Sequence, residues 1–122
     1  MKSIYICSSL RAEVYAHVSK VLAVVTTDEK IYRPQAGPAE NRDSIVESDC
    51  YAIEHCDELW VIGEFGRDCS WEIGYAMGLG KIVKIFVDYT NSHFVEKDWM
   101  IHYGNKLGKL EIVSLIESEI MY

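Results

Sequence analysis

What the sequence lacks narrows its possible roles. No stretch approaches about 18 consecutive apolar residues, so no membrane-spanning helix is expected, and the apolar run in MKSIYICSS is far too short for a secretory signal. Lysine and arginine form no cluster. Twelve of them against nineteen acidic residues leave a net charge of -7, which argues against nucleic acid or an anionic membrane surface as a partner. The four cysteines, Cys7, Cys50, Cys56 and Cys69, make no CxxC pair and show no metal spacing with His17, His55, His93 or His102. They read as free buried thiols, and neither a metal nor another cofactor is expected. Only two prolines occur, Pro34 and Pro38, both in RPQAGPAEN, which marks that segment as the loop of greatest expected flexibility. No internal repeat, linker or low-complexity tract is present, and neither GxGxxG nor GxxxxGK occurs. With these exclusions the sequence reads as that of a soluble, cytoplasmic protein, in which a phosphorylated ligand would need a local anion site.

At 122 residues, with ordinary globular fractions of hydrophobic (49%) and charged (25%) residues, the chain is expected to form one domain, residues 1–122. Strand and helix patterns alternate along it. SIYIC, Ser3 to Cys7, is a β-rich run followed by Ser8, Ser9 and a helical pattern from about Leu10 to Val24. A weaker strand is expected over Lys30 to Arg33 and a helix from about Arg42 to Cys56. A strand over Glu58 to Ile62, a loop from Gly63 to Asp68, a helix and a strand over Ile82 to Val87 then follow. The alternation predicts a doubly wound parallel sheet, an α/β three-layer sandwich of the Rossmann-like or flavodoxin-like class. Beyond Asp88, YTNSHFVEKD reads as a polar loop, WMIHYG is ambiguous, and a closing helix is expected from about Lys109 to Ile120.

The segment CSWEIGYAMGLGK, Cys69 to Lys81, places Glu72 in the expected first turn of a helix whose other inward positions are small or apolar. Gly74 and Gly78 each cost roughly 1 kcal/mol in a helix interior, which suggests close approach of that helix to the sheet. Just upstream, DELWVIGEFG is an apolar strand ending in a glycine loop. Glu72 should therefore lie beyond the carboxyl end of a strand, where ligands bind in open α/β sheets. A positive helix end would keep it ionised, although that same preference makes an acidic first-turn residue unremarkable by itself. Asp68 reads as the helix N-cap, with Ser70 competing.

In the preceding helix the apolar stripe Ile45, Ala52, Ile53, Cys56 contains Asp49. A carboxylate on a buried face must be paired, hydrogen-bonded or protonated, so Asp49 is either a partnered core residue or a second acid facing Glu72, with a raised pKa. In the first loop, CSSLR brings Cys7, the hydroxyls of Ser8 and Ser9, backbone amides at a helix start and the Arg11 guanidinium together. Such an assembly suits phosphate, and an ordinary strand-to-helix turn with a solvated arginine is the alternative. Tyr5 alternates with Ile4 and Ile6, so it points away from both, toward either the crevice or the core.

Taken together, IYICSSLR, the spacing from Asp49 to Asp57, ELWVIG and SWEIGYAMGLGK resemble the nucleoside 2-deoxyribosyltransferase family. The likeness is closer to its small 2'-deoxynucleoside 5'-phosphate N-hydrolase branch and covers roughly residues 3 to 87. It implies a flavodoxin-like fold, with the family's nucleophilic glutamate at Glu72 and its proton-handling aspartate at Asp49. Tyr5 matches a tyrosine that hydrogen-bonds the nucleophile. Ser8, Ser9 and Arg11 match a loop reading like CGSIRG that binds the 5'-phosphate, which favours a nucleotide substrate. The preceding loop departs from the family: Gly66 stands where some members carry a sugar-binding aspartate, Asp68 is displaced by two, and Arg67 could supply a further anion contact.

The resemblance implies N-glycosidic bond cleavage by hydrolysis or by transfer to another base. It also implies a homodimer or larger homo-oligomer, with Trp99, Tyr103, Met121 and Tyr122 as candidate contacts, whereas Trp60 and Trp71 suit core packing. A non-catalytic nucleotide-binding or cyclic-nucleotide-sensing module on the same fold is the rival class. A flavodoxin-type electron carrier is disfavoured because no aromatic pair is placed to bracket a flavin.

Overall fold

The computed structural model describes residues 1–115. Five strands, β1 (Ser3–Cys7), β2 (Lys30–Tyr32), β3 (Glu58–Ile62), β4 (Ile82–Val87) and β5 (Glu111–Ser114), form one sheet. The helices are α1 (Ala12–Val25), α2 (Arg42–His55), α3 (Arg67–Gly78), α4 (Ser92–Lys97) and α5 (Trp99–Lys106). The strand order is β2-β1-β3-β4-β5 and every neighbouring pair is parallel. This is the flavodoxin-like arrangement, in which the winding direction reverses between β1 and β3 and opens a crevice there.

Alternation along β1 distributes its side chains between two cores. Ile4 and Ile6 join Trp60 and Ile62 beneath Val14, Val18 and Val21 of α1. Tyr5 and Cys7 face the other way, with Leu59, Val61, Ile53 of α2 and Cys69, Ile73 and Ala76 of α3. Each fully buried Ile or Val contributes about 1.5–3 kcal/mol, so a one-residue slip of β1 would expel both sets. β3 is buried along its whole length and ends at Gly63, whose φ of 74° suits glycine. A Cβ there would also meet Val14 Cγ1 at 3.4 Å.

The structure corrects several expectations. Residues 111–114 of the expected closing helix are β5, parallel to β4, and 116–120 lie outside the described residues. Gly108, at φ 73°, follows the end of α5 and redirects the chain; Leu115 N–H donates to the Val87 carbonyl at 2.8 Å. The short EIVS run is rich in β-branched residues and completes a sheet edge that β4 alone would leave open. The segment read as a polar loop contains α4, and the ambiguous WMIHYG is α5, N-capped by Asp98, which accepts from Ile101 N–H at 3.0 Å.

Helix α3 starts earlier than expected. Gly66 occupies the N-cap with no side-chain cap, Asp68 lies in the first turn, and Ser70 Oγ bonds back to the Gly66 carbonyl at 3.3 Å. Glu72 is consequently in the second turn. Gly74 and Gly78 are exposed, and a Cβ at either would meet nothing within 4 Å, so close approach to the sheet does not account for them; nothing in the structure does. Trp60 is buried, but Trp71 is exposed and stacks on Tyr75, with ring centroids 5.0 Å apart. Among the described residues no helix is long and apolar enough to cross a membrane.

Candidate active site

The crevice at the reversal point is built by loops following three strands and by two helices. Ser8, Ser9 and Leu10 follow β1, Pro34 follows β2, and Gly66 to Cys69 come from the β3 loop and the start of α3. With Asp49 of α2 and Glu72 of α3 they line a cavity of about 510 Å³. A second hollow of about 440 Å³ shares Leu10, Asp49, Asp68 and Glu72 and extends over Pro38, Ile45, Val46 and Trp71. The crevice thus has a polar lobe and an apolar lobe, with the carboxylates of Asp49, Asp68 and Glu72 common to both.

Below Glu72 the β1 alternation has a direct consequence. The fully buried Tyr5 hydroxyl donates to Glu72 Oε2, and Cys7 Sγ lies 3.4 Å from Glu72 Oε1. Cys7 Sγ is also 3.6 Å from the Cys69 carbonyl oxygen. Tyr32, opposite Tyr5 in the parallel register, stacks on it at 5.4 Å and donates to Asp49 Oδ1 at 3.2 Å. Two stacked tyrosines therefore each donate to one of two crevice carboxylates. This arrangement fixes the carboxylates' orientation without neutralising either.

Burial raises the Glu72 carboxyl pKa above its usual value; the charges of Asp49 and Asp68 add to the rise, while the Tyr5 and Cys7 hydrogen bonds oppose it. The helix end, expected to keep Glu72 ionised, does not set the direction of this shift. The dipole effect fades within the first turn, and Glu72 lies beyond it. Asp49 is also raised, by burial, with the Tyr32 hydrogen bond pulling the other way. Burial pushes the Tyr5 phenol far up, helped by the Glu72 charge and hydrogen bond, so Tyr5 acts only as a donor. The Cys7 thiol is pushed well up by burial, then by Cys69 and Glu72.

Of the residues singled out by sequence, Ser8, Ser9, Asp49, Gly66, Arg67, Asp68 and Glu72 line the polar lobe, while Tyr5 and Cys7 touch Glu72 from beneath. Arg11 is not among the lining residues. Its guanidinium pairs with Glu64 and, at 3.5 Å, with Glu13, because the β3 loop brings Glu64 against the first turn: Ser9 N–H donates to the Glu64 carbonyl at 2.7 Å. Arg67 is the arginine that faces the polar lobe.

Sequence reasoning missed Tyr32 and Cys69. Pairing β1 with β2 in register would have found Tyr32 opposite Tyr5; Cys69 carries no local signal. It also missed a buried polar cluster behind the loop. Asn91 Nδ2 donates to the carbonyls of Gly63 and Phe86 at 2.9 and 3.0 Å, and His17 Nε2 is 2.7 Å from Asp88 Oδ2. These contacts tie the Gly63 turn to β4 and α1, and so place the loop carrying Gly66 and Arg67. As to metal ligation, Cys7, Cys69 and Glu72 bring their ligand atoms within 4.8 Å of one another.

No protein-family model and no curated protein matches the sequence. Solved structures do match. A CMP N-glycosidase from Clostridium botulinum, BcmB, superposes with a TM-score of 0.71 over 99% of this chain and 94% of its own, at 14% identity. A 2-deoxyribosyltransferase from the psychrotolerant bacterium Bacillus psychrosaccharolyticus matches with a TM-score of 0.56 at 28% identity, over 69% of this chain and 71% of its own. The fold is that of the nucleoside 2-deoxyribosyltransferases. A second 2-deoxyribosyltransferase, from Leishmania mexicana, gives a TM-score of 0.53 at 25% identity, over 70% of this chain and 64% of its own. These neighbours fit the family that the sequence resembles, including its nucleotide N-hydrolase branch. On this deoxyribosyltransferase fold the paired carboxylates open at the switch point, where the topology predicts a ligand.

Proposed function

We propose that the protein cleaves the N-glycosidic bond of a 2'-deoxynucleoside 5'-monophosphate, releasing the free base, with Glu72 as nucleophile and Asp49 as proton donor. The supporting observation is the pairing itself: two carboxylates line one crevice, and separate tyrosines orient them. Glu72 attacks C1' as the bond to the base breaks; the bonding electrons leave with the base, and Asp49 supplies its proton. The resulting glycosyl ester on Glu72 is then resolved by water, or by a second base in the transfer reaction, as in a retaining glycosidase. Ser8, Ser9 and Arg67 in the polar lobe suit the phosphate. The apolar lobe over Ile45, Val46 and Trp71 suits the base. The Clostridium neighbour is a CMP N-glycosidase, so a nucleoside 5'-monophosphate is the substrate class to test first.

The test is chromatographic. The protein is incubated with deoxynucleoside and ribonucleoside monophosphates, CMP included, with and without an acceptor base. Free base or an exchanged nucleotide is expected from at least one deoxynucleotide, and Glu72→Ala should abolish it. Intact ligand accompanied only by a thermal shift would identify a binding module and overturn the catalytic reading.

Cytoplasmic placement and self-association accompany this proposal. On α5, Trp99, Met100 and Tyr103 are exposed, which supports a face between copies of the chain; Met121 and Tyr122 lie outside the described residues. Sedimentation of the native protein and of Trp99→Glu tests this: a monomeric native species would refute it.

A further inference from the structure

Cys7, Cys69 and Glu72 come from two elements, the end of β1 and the first and second turns of α3, and pack together at the crevice floor. Cys7 and Cys69 are both buried and both free, and Glu72 Oε1 is 3.4 Å from Cys7 Sγ. All three ligand atoms lie within 4.8 Å of one another. With metal–ligand bonds of about 2.0–2.3 Å, the ligand atoms of a tetrahedral zinc ion stand about 3.3–3.8 Å apart. The Cys7–Glu72 edge already has that length, and the other two edges are within 4.8 Å. Cys69 and Glu72 also line the open crevice, which gives an ion a route in and leaves a fourth position for water. Two sulfurs select a thiophilic cation over magnesium or calcium, which prefer all-oxygen shells.

We propose that Cys7, Cys69 and Glu72 form a binding site for a thiophilic divalent cation of the zinc class, whose occupancy takes Glu72 out of the crevice chemistry. Binding replaces the two thiol protons, which leave to solvent, with two metal–sulfur bonds, and one Glu72 oxygen supplies the third ligand. Glu72 then has an electron pair committed to the ion. The site is thus inhibitory rather than catalytic, and it couples the activity of the crevice to free zinc.

Binding is measured independently of turnover, so failure of the function proposed above is distinguishable from failure of the site. Titration of the reduced protein with Cd²⁺ should produce a thiolate-to-cadmium charge-transfer band saturating at one equivalent per chain, and Zn²⁺ should compete it away. Zn²⁺ should also raise Tm, because it binds the folded chain. Cys69→Ser should weaken binding by more than the roughly 10–100-fold that loss of a supporting contact costs at a metal site, and Cys50→Ser should leave binding unchanged. Circular dichroism of Cys69→Ser confirms that the variant is folded, and Glu72→Gln provides a second variant with both thiols intact, expected to bind more weakly. Where base release is measurable, Zn²⁺ should suppress it in step with occupancy, and a chelator should restore it. Absence of the band, a band equally strong in Cys69→Ser, or a band lost in Cys50→Ser would overturn the proposal.

Discussion

Replacing Tyr5 by Phe removes one oxygen from a side chain that is otherwise fully buried. The ring, its stacking on Tyr32 and the β1 backbone can all stay in place, so the perturbation is confined to the donor that Glu72 Oε2 receives. A hydrogen bond to a charged group is worth about 1.5–3 kcal/mol. Because this one favours the ionised carboxylate, its loss should raise the Glu72 pKa further. The acidic limb of the kcat/KM profile, which marks ionisation of the nucleophile, should move to higher pH. At a pH near that limb, the fall in kcat/KM should reach about 10–100-fold. Well above it the variant should regain much of its rate. Where Glu72 is ionised, stability should fall by up to about the same 1.5–3 kcal/mol, because the donor is lost from the folded state only. Base release followed by chromatography across pH, with a thermal melt as control, gives both quantities. An unshifted acidic limb in Tyr5→Phe would refute the role given to this hydrogen bond.

Asp49→Asn should slow base release by about 10²–10⁴-fold, and the fall in rate at alkaline pH, which reports loss of the Asp49 proton, should vanish from its profile. In the folded chain burial raises the Asp49 pKa, so its contribution to stability is full below the unfolded value of about 3.9 and is lost as pH rises through the folded value. Tm measured against pH should therefore be flatter for this variant; an alkaline limb that survives the substitution would move the acid role to another group. Glu58 lies outside the crevice, buried between Lys2 Nζ at 2.7 Å, Lys84 Nζ at 3.3 Å and the Trp60 indole at 2.8 Å. Burial tends to raise its carboxyl pKa, but the hydrogen bonds from Lys2 and Trp60 and the charge of Lys84 outweigh it, and the net shift is downward. Its stabilisation is present above about pH 4.3, the unfolded glutamate value, and is lost as pH falls through the folded one. Glu58→Gln should cost about 1–3 kcal/mol at pH 7, discounted for the half-exposed Lys2, with base release unchanged below the lowered Tm. An unaltered denaturation midpoint would show the ion cluster to be energetically neutral.

The strands legible in the sequence are those whose burial is uniform or strictly alternating. Glu58–Ile62 and Ile82–Val87 have the bounds that their apolar runs suggest, because a central parallel strand must be hydrophobic on both faces. Residues Glu111–Ser114 were not legible as a strand: four residues at the sheet edge carry too short a pattern, and their partner β4 is chosen by topology. The start of α3 was misplaced for a related reason. Its N-cap, Gly66, offers no side chain to signal the boundary, and this shift of one turn removes the helix-end charge expected at Glu72.

Local pattern by itself predicted a parallel α/β sandwich with Glu72 beyond the carboxyl end of a strand, and left open whether Asp49 and the loop after Cys7 join it there. Side-chain periodicity and turn residues are local properties, and they suffice for that much. Tertiary structure alone decided which groups meet. Parallel register set Tyr32 on Tyr5, the β3 loop engaged Arg11 through Glu64 and left Arg67 to face the crevice, and the approach of α3 to β1 joined Cys69 and Glu72 to Cys7. Each of these contacts spans dozens of residues of sequence. Their geometry depends on how sheet and helices pack, which no local pattern encodes.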